Sequence, residues 1–135
     1  MLYMLDTNIC GYIIKSKPLH IKEKLQEIEK NHTIGLSSIV VSELLYGVKK
    51  KGSSQLYEIV LSFIANFRIY DFDKNSAFSY GEIRTDLETK GTIIGSNDLF
   101  IASHAKSLGA ILVTNNEKEF QRVEGLQIEN WVKEV

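Results

Sequence analysis

Leu2-Tyr3-Met4-Leu5-Asp6-Thr7-Asn8 opens the chain as a short apolar run that stops at three polar residues, each able to cap a helix. A continuous apolar run of four is too short for a helix and lacks the alternation of a half-exposed strand. It predicts a strand over Leu2 to Leu5, buried on both faces, with a helix starting directly after it. Asp6 interrupts the run far short of the length a signal peptide or a membrane span requires, so a cytoplasmic protein with no membrane partner is expected.

The same pattern recurs along the chain. Pro18 opens a helix whose Ile21, Leu25 and Ile28 share one stripe, and Thr33 to Leu36 reads as a second strand. Ser37 or Ser38 caps a helix to about Lys50. Ser53 or Ser54 caps another, with Leu56, Ile59, Val60, Phe63, Ile64 and Phe67 as its apolar face, and the two are expected to pair. Arg68 to Tyr70 is strand-like, Asp73 caps a helix to about Lys90 that Gly91 stops, and Ser96 caps one that Gly109 ends. Ala110 to Val113 is a compact strand followed by the polar turn Thr114-Asn115-Asn116, and a last strand lies near Leu126 to Ile128. Strands alternating with helices predict the α/β class, a small parallel sheet flanked by helices.

A length of 135 residues suits a single domain over 1–135. Apolar residues at 44% and one proline describe an ordinary globule rather than a disordered chain. One cysteine, Cys10, excludes an internal disulfide, and His20, His32 and His104 are too far apart for a zinc motif. A net charge of −1 supplies no global attraction for nucleic acid, which leaves any such binding to a local patch. Lys49-Lys50-Lys51 is the one dense basic cluster, and by itself it reads as a solvated helix end.

In open parallel sheets the functional crevice lies beyond the carboxyl ends of the strands. Asp6 stands there, with a helix cap as its competing role. Asp98 begins a helix that is apolar almost all round, sharing its side with the small Ala102 and Ala105; its competing role is an anion at a helix start. Glu43 falls at the fringe of its helix, between Ile39 and Val40, and alone reads as solvated. Asn116 and Glu119, just after the strand Ala110 to Val113, are equally ambiguous alone. Convergence in one crevice changes the reading. Gathered carboxylates repel unless a cation compensates them, and hard oxygen ligands select Mg²⁺ or Mn²⁺.

Four segments carry a family resemblance: Tyr3-Met4-Leu5-Asp6-Thr7-Asn8, Ser42-Glu43-Leu44 with Gly47, Gly95-Ser96-Asn97-Asp98, and Thr114-Asn115-Asn116-Glu117-Lys118-Glu119-Phe120. In this order along the whole chain they resemble the VapC toxins of the PIN-domain family. The resemblance implies a homodimer and a Mg²⁺ or Mn²⁺ site that cleaves RNA phosphodiesters. It puts the family's first three acids on Asp6, Glu43 and Asp98, expected to act as metal ligands. Many members carry Thr-x-Asp where this chain has Thr114-Asn115-Asn116, so the fourth catalytic position falls to Asn116 or Glu119. Also implied are a VapB-type antitoxin that sets a basic side chain into the acidic pocket, operator DNA contacted only through that antitoxin, and cleavage of the anticodon stem-loop of initiator tRNA. The alternative is a catalytically silent PIN-like module that only binds antitoxin or RNA. A dehalogenase-type phosphotransferase needs a second Asp two residues after the first, where this chain has Asn8.

Overall fold

The computed structural model describes residues 1–133. Five parallel strands form one sheet in the order β3-β2-β1-β4-β5: β1 Leu2–Leu5, β2 Thr33–Ser37, β3 Arg68–Tyr70, β4 Ile111–Val113 and β5 Gln127–Glu129. Each expected strand is present, with ends that differ by at most one or two residues. Seven helices surround them: α1 Thr7–Lys15, α2 Leu19–Ile28, α3 Ser38–Lys51, α4 Ser54–Ile64, α5 Lys74–Thr89, α6 Ser96–Ser107 and α7 Glu117–Phe120. None among the described residues is long and apolar enough to cross a membrane.

β1 is the central strand because it is apolar on both faces. Tyr3, Met4 and Leu5 are all buried, and neighbours pair on each side, Tyr3 with Ile34 and with Ile111. The chain first winds from β1 to β2 and β3, then crosses back through α5 and α6 to enter β4 on the other side of β1. The winding direction therefore reverses between β1 and β4. Adjacent connections leave opposite faces there and open a crevice at the carboxyl edge.

The caps mostly follow the sequence. Ser37, Ser53 and Asp73 each accept a backbone N–H of the helix they start, and the three lysines occupy the last turn of α3, where cations suit the helix dipole. At α6 the expectation fails: Ser96 is already the first helical residue, and Gly95 holds the cap position with no side-chain bond. Ile59, assigned to the buried face of α4, is exposed, because Leu56, Val60, Phe63 and Ile64 already cover the side turned inward. The short helix α7 was not expected at all.

One close contact packs β3 against β2, and a second ties β2 to α6. Gly35 lets the Tyr70 ring lie against β2, since a Cβ there would come within 2.5 Å of Tyr70 Cε1. Behind the crevice, the buried His104 of α6 shares a 2.7 Å hydrogen bond between Nδ1 and Ser37 Oγ, the same hydroxyl that caps α3. Burial holds the His104 pKa below its ordinary value, against the opposing charges of Asp73 and Asp71.

Candidate active site

Asp6 is the residue after β1 and Thr114 the residue after β4, so strand pairing alone sets them side by side, with the Asp6 amide donating to Val113 O at 2.9 Å. The Asp6 carboxylate is only 6% exposed. It accepts from Thr7 N and from Thr114 Oγ1, both at 2.8 Å. Its two competing roles coincide, because the carboxylate that caps α1 is also the floor of the crevice. Burial raises its pKa, the Thr114 and Thr7 bonds oppose that rise, and the charges of Glu43 and Glu119 add to it.

The other acids arrive on helices whose ends lie at the same edge. α6 precedes a parallel strand, so it runs antiparallel to the sheet and begins at the carboxyl edge, which brings Asp98 to the crevice. α7 follows β4 directly and brings Glu119, while α3 leaves β2 and carries Glu43 in its second turn. Glu43 is half-buried rather than solvated: Thr7 Oγ1 donates to its Oε1 and Asn97 Nδ2 to its Oε2, the latter at 3.0 Å. Those two donors come from other elements and cannot be seen in a helical wheel.

Asp98 and Glu119 face each other across the crevice. Desolvation first, then the bond to Glu119 and the charges of Asp6, Glu119 and Glu43, push the Asp98 carboxyl up to about 7. Glu119 is held below its ordinary value by the bond from Asp98 and by Asn116 Nδ2, which donates to Glu119 Oε2. The two carboxyls thus shift in opposite directions, as neighbours that compete for one proton do. Asn116 and Glu119 are in contact, and the amide supports the carboxylate. Ala102 and Ala105 are fully buried, and the small residue beside the Asp98 carboxylate is Gly95, where a Cβ would stand 3.5 Å from Oδ2.

Asp6, Glu43, Asp98, Glu119 and Asn116 are thus brought to one edge. Among the described residues, no lysine, arginine or histidine forms an ion pair with any of these four acids. Nor do three Asp, Glu, His or Cys side chains stand close enough there to make a ready-made metal cage. An all-oxygen set of mutually repelling acids, with the Arg122 charge acting on Glu119, fits a hard divalent cation. Mg²⁺ in particular binds through one or two carboxylates and keeps several waters, so a full cage is not required. Thr7, Thr114 and Asn97 hold the acids in place. Thr7 and Thr114 flank recognisable strand ends, but nothing in the sequence pairs Asn97 with a glutamate 54 positions earlier.

Beside Thr7 and Glu43, a cleft runs along α1, α3 and α4, with Tyr12, Leu44, Val48 and Leu56 in its walls. The chain is similar both to curated proteins and to solved structures. The chain is 51% identical over 134 residues to the ribonuclease VapC2 of Rickettsia felis, covering 98% of this chain and 100% of that protein. It is 41% identical over 130 residues to the tRNA(fMet)-specific endonuclease VapC of Salmonella typhimurium, covering 96% and 97%. The crystal structure of VapBC2 from Rickettsia felis, bound to a DNA fragment from its promoter, superposes with a TM-score of 0.91 at 50% identity over 97% of this chain and 99% of that one. VapBC-1 from nontypeable Haemophilus influenzae gives 0.87 at 37% identity, covering 98% and 100%. The PIN domain model matches residues 3–126, and with these relatives spanning nearly the whole of both chains, the protein belongs to the PIN-domain family and, within it, to the VapC toxins of toxin–antitoxin systems.

Proposed function

We propose that the protein is a Mg²⁺- or Mn²⁺-dependent endoribonuclease, the toxin of a type II toxin–antitoxin pair, acting on the anticodon stem-loop of initiator tRNA. The observation that carries this is the convergence of Asp6, Glu43, Asp98 and Glu119 at one sheet edge, where none of them is in an ion pair among the described residues. The relatives' names support ribonuclease activity, and the Salmonella protein's name supports the tRNA.

Asp6 and Asp98 are the residues that hold the ion, with Glu43 completing or orienting its shell. A divalent ion bound there supplies Lewis acidity that makes a water nucleophilic at neutral pH and offsets charge on the phosphate. Thr7 and Thr114 keep the Asp6 oxygens aimed into the crevice. Asp98 would have to be ionised to hold the ion, and Glu119, steadied by the Asn116 amide, would stand beside it.

A VapB-type antitoxin fits the cleft that leads from α4 to Glu43, where its basic side chain substitutes a fixed cation for the mobile one. The DNA-bound VapBC relatives support operator DNA reached through the antitoxin, and a homodimer and a cytoplasmic site of action belong to the same reading. The test is cleavage of purified initiator tRNA against elongator tRNAs, with Mg²⁺ and with chelator, products mapped by sequencing. A single cut in the initiator anticodon loop that chelator abolishes is expected. Chelator-insensitive cleavage sinks the metal reading, equal cutting of all tRNAs sinks the substrate, and no cleavage leaves the silent binding module.

A further inference from the structure

Glu43 is gripped from two sides. Thr7, at the start of α1, donates to one carboxylate oxygen, and Asn97, in the first turn of α6, donates to the other. The direction of the Asn97 bond follows from chemistry, since an ionised carboxylate only accepts and the amide must turn its NH₂ towards it. This is the one side-chain hydrogen bond of Asn97 among the described residues, and the residue is otherwise exposed. Its surroundings give it no packing role.

A second link stands behind this contact. The His104–Ser37 bond joins α6 to the N-cap of α3, a buried connection between the two elements independent of Asn97. What the buried link leaves free is the Glu43 side chain itself. A glutamate on a helix surface has three rotatable bonds and samples several rotamers, and charge-assisted bonds to both oxygens restrict it to one.

We propose that Asn97 is a positioning residue for Glu43: with Thr7 it fixes the carboxylate in the orientation that cleavage uses, and it does not itself contact the RNA. This rests on the nuclease reading above. Asn97 stands next to Asp98, so the same first turn of α6 contributes an acid of the site and aligns a second acid carried on another helix.

The test compares Asn97→Ala, Asn97→Asp, Glu43→Gln and the double variant Asn97→Ala/Glu43→Gln as purified full-length proteins on initiator tRNA. Asn97→Ala is expected to lower kcat about 10- to 100-fold with KM within about twofold, since a misplaced catalytic group costs turnover rather than binding. Asn97→Asp, which sets a carboxylate against Glu43, falls at least as far. In the Glu43→Gln background Asn97→Ala adds nothing, because its effect passes through Glu43 alone. A crystal structure of Asn97→Ala shows the Glu43 carboxylate displaced or spread over several rotamers in an unchanged fold. The positioning role is overturned by a raised KM at unchanged kcat, by a further loss in the double variant, or by an unmoved Glu43. A Glu43→Gln protein that cleaves at the wild-type rate sinks Glu43 as an acid of the site, whereas an inactive Glu43→Gln beside a fully active Asn97→Ala sinks the positioning role alone.

Discussion

Asp6→Asn is expected to lower RNA cleavage by roughly 10³-fold, about 4 kcal/mol of transition-state stabilisation, while the protein stays folded. The substitution preserves shape: the amide oxygen still accepts from Thr7 N, and Asn serves as well as Asp at a helix N-cap. The charge is lost, and with it the acceptor for Thr114 Oγ1, whose hydroxyl must turn to accept from the new NH₂ instead. If Asp6 mattered solely as the cap of α1, the variant would keep its activity, so this one substitution separates the two roles that coincide at the site. Steady-state cleavage together with a circular dichroism spectrum is sufficient, and an active, folded Asp6→Asn protein excludes Asp6 from the chemistry.

The second expected result concerns stability without metal. The Asp98 pKa is raised, from an ordinary carboxylate value to about 7, chiefly by desolvation and the bond to Glu119. Below the ordinary value the folded and unfolded chains are both protonated at this position, and stability is unaffected. Between there and about 7 the folded chain retains a proton that the unfolded chain has released, so stability falls as pH rises, and the loss is complete above 7. The full shift corresponds to roughly 4 kcal/mol, which solvent screening at this half-buried site reduces to about 1–2 kcal/mol. Asp98→Asn, which mimics the protonated acid and can still donate to Glu119, escapes this loss.

In chelator the variant should therefore melt higher than the wild type at pH 8, by about 4 °C, with the gap closing towards pH 4. Adding Mg²⁺ should reverse the order, because only the complete site gains binding energy in the folded state. Thermal melts at both pH values, with and without Mg²⁺, check this. A variant that melts lower in chelator at pH 8, with an unaltered Mg²⁺ response, returns Asp98 to a helix-start anion.

Much of this architecture is legible in the chain because its signals are local. An apolar run that ends at Asp6 specifies a buried strand and a helix start together, and Ser37, Ser53 and Asp73 cap the helices they precede. Local signals also explain the failures. Glu117–Phe120 is a single turn, too short to show any period, so α7 reads as part of a loop. Ser96 resembles a cap because caps and first-turn residues draw on the same small polar side chains, and only the backbone shows that Gly95 takes the position.

The site divides in the same way. Asp6 and Asp98 are marked by a strand end and a helix start. Glu43 reads as a solvated residue because its partners, Thr7 and Asn97, come from α1 and α6. The choice between Asn116 and Glu119 is not a choice in the folded chain, where one donates to the other. Family resemblance singles out the acids as candidates, but the supporting hydroxyls and amides emerge only from the three-dimensional contacts.

The central claim, that acids from four separate segments form one divalent-ion site, is tested most directly by Mn²⁺ titration followed by electron paramagnetic resonance at neutral pH. Wild type, Asp6→Asn and Asp98→Asn are compared, each first shown to be folded. The wild type should bind Mn²⁺, tighter at pH 8 than at pH 6 because Asp98 must release its proton, and each variant should bind at least about tenfold more weakly. Affinity unchanged in both variants, or no binding to the wild type at millimolar Mn²⁺, would contradict it.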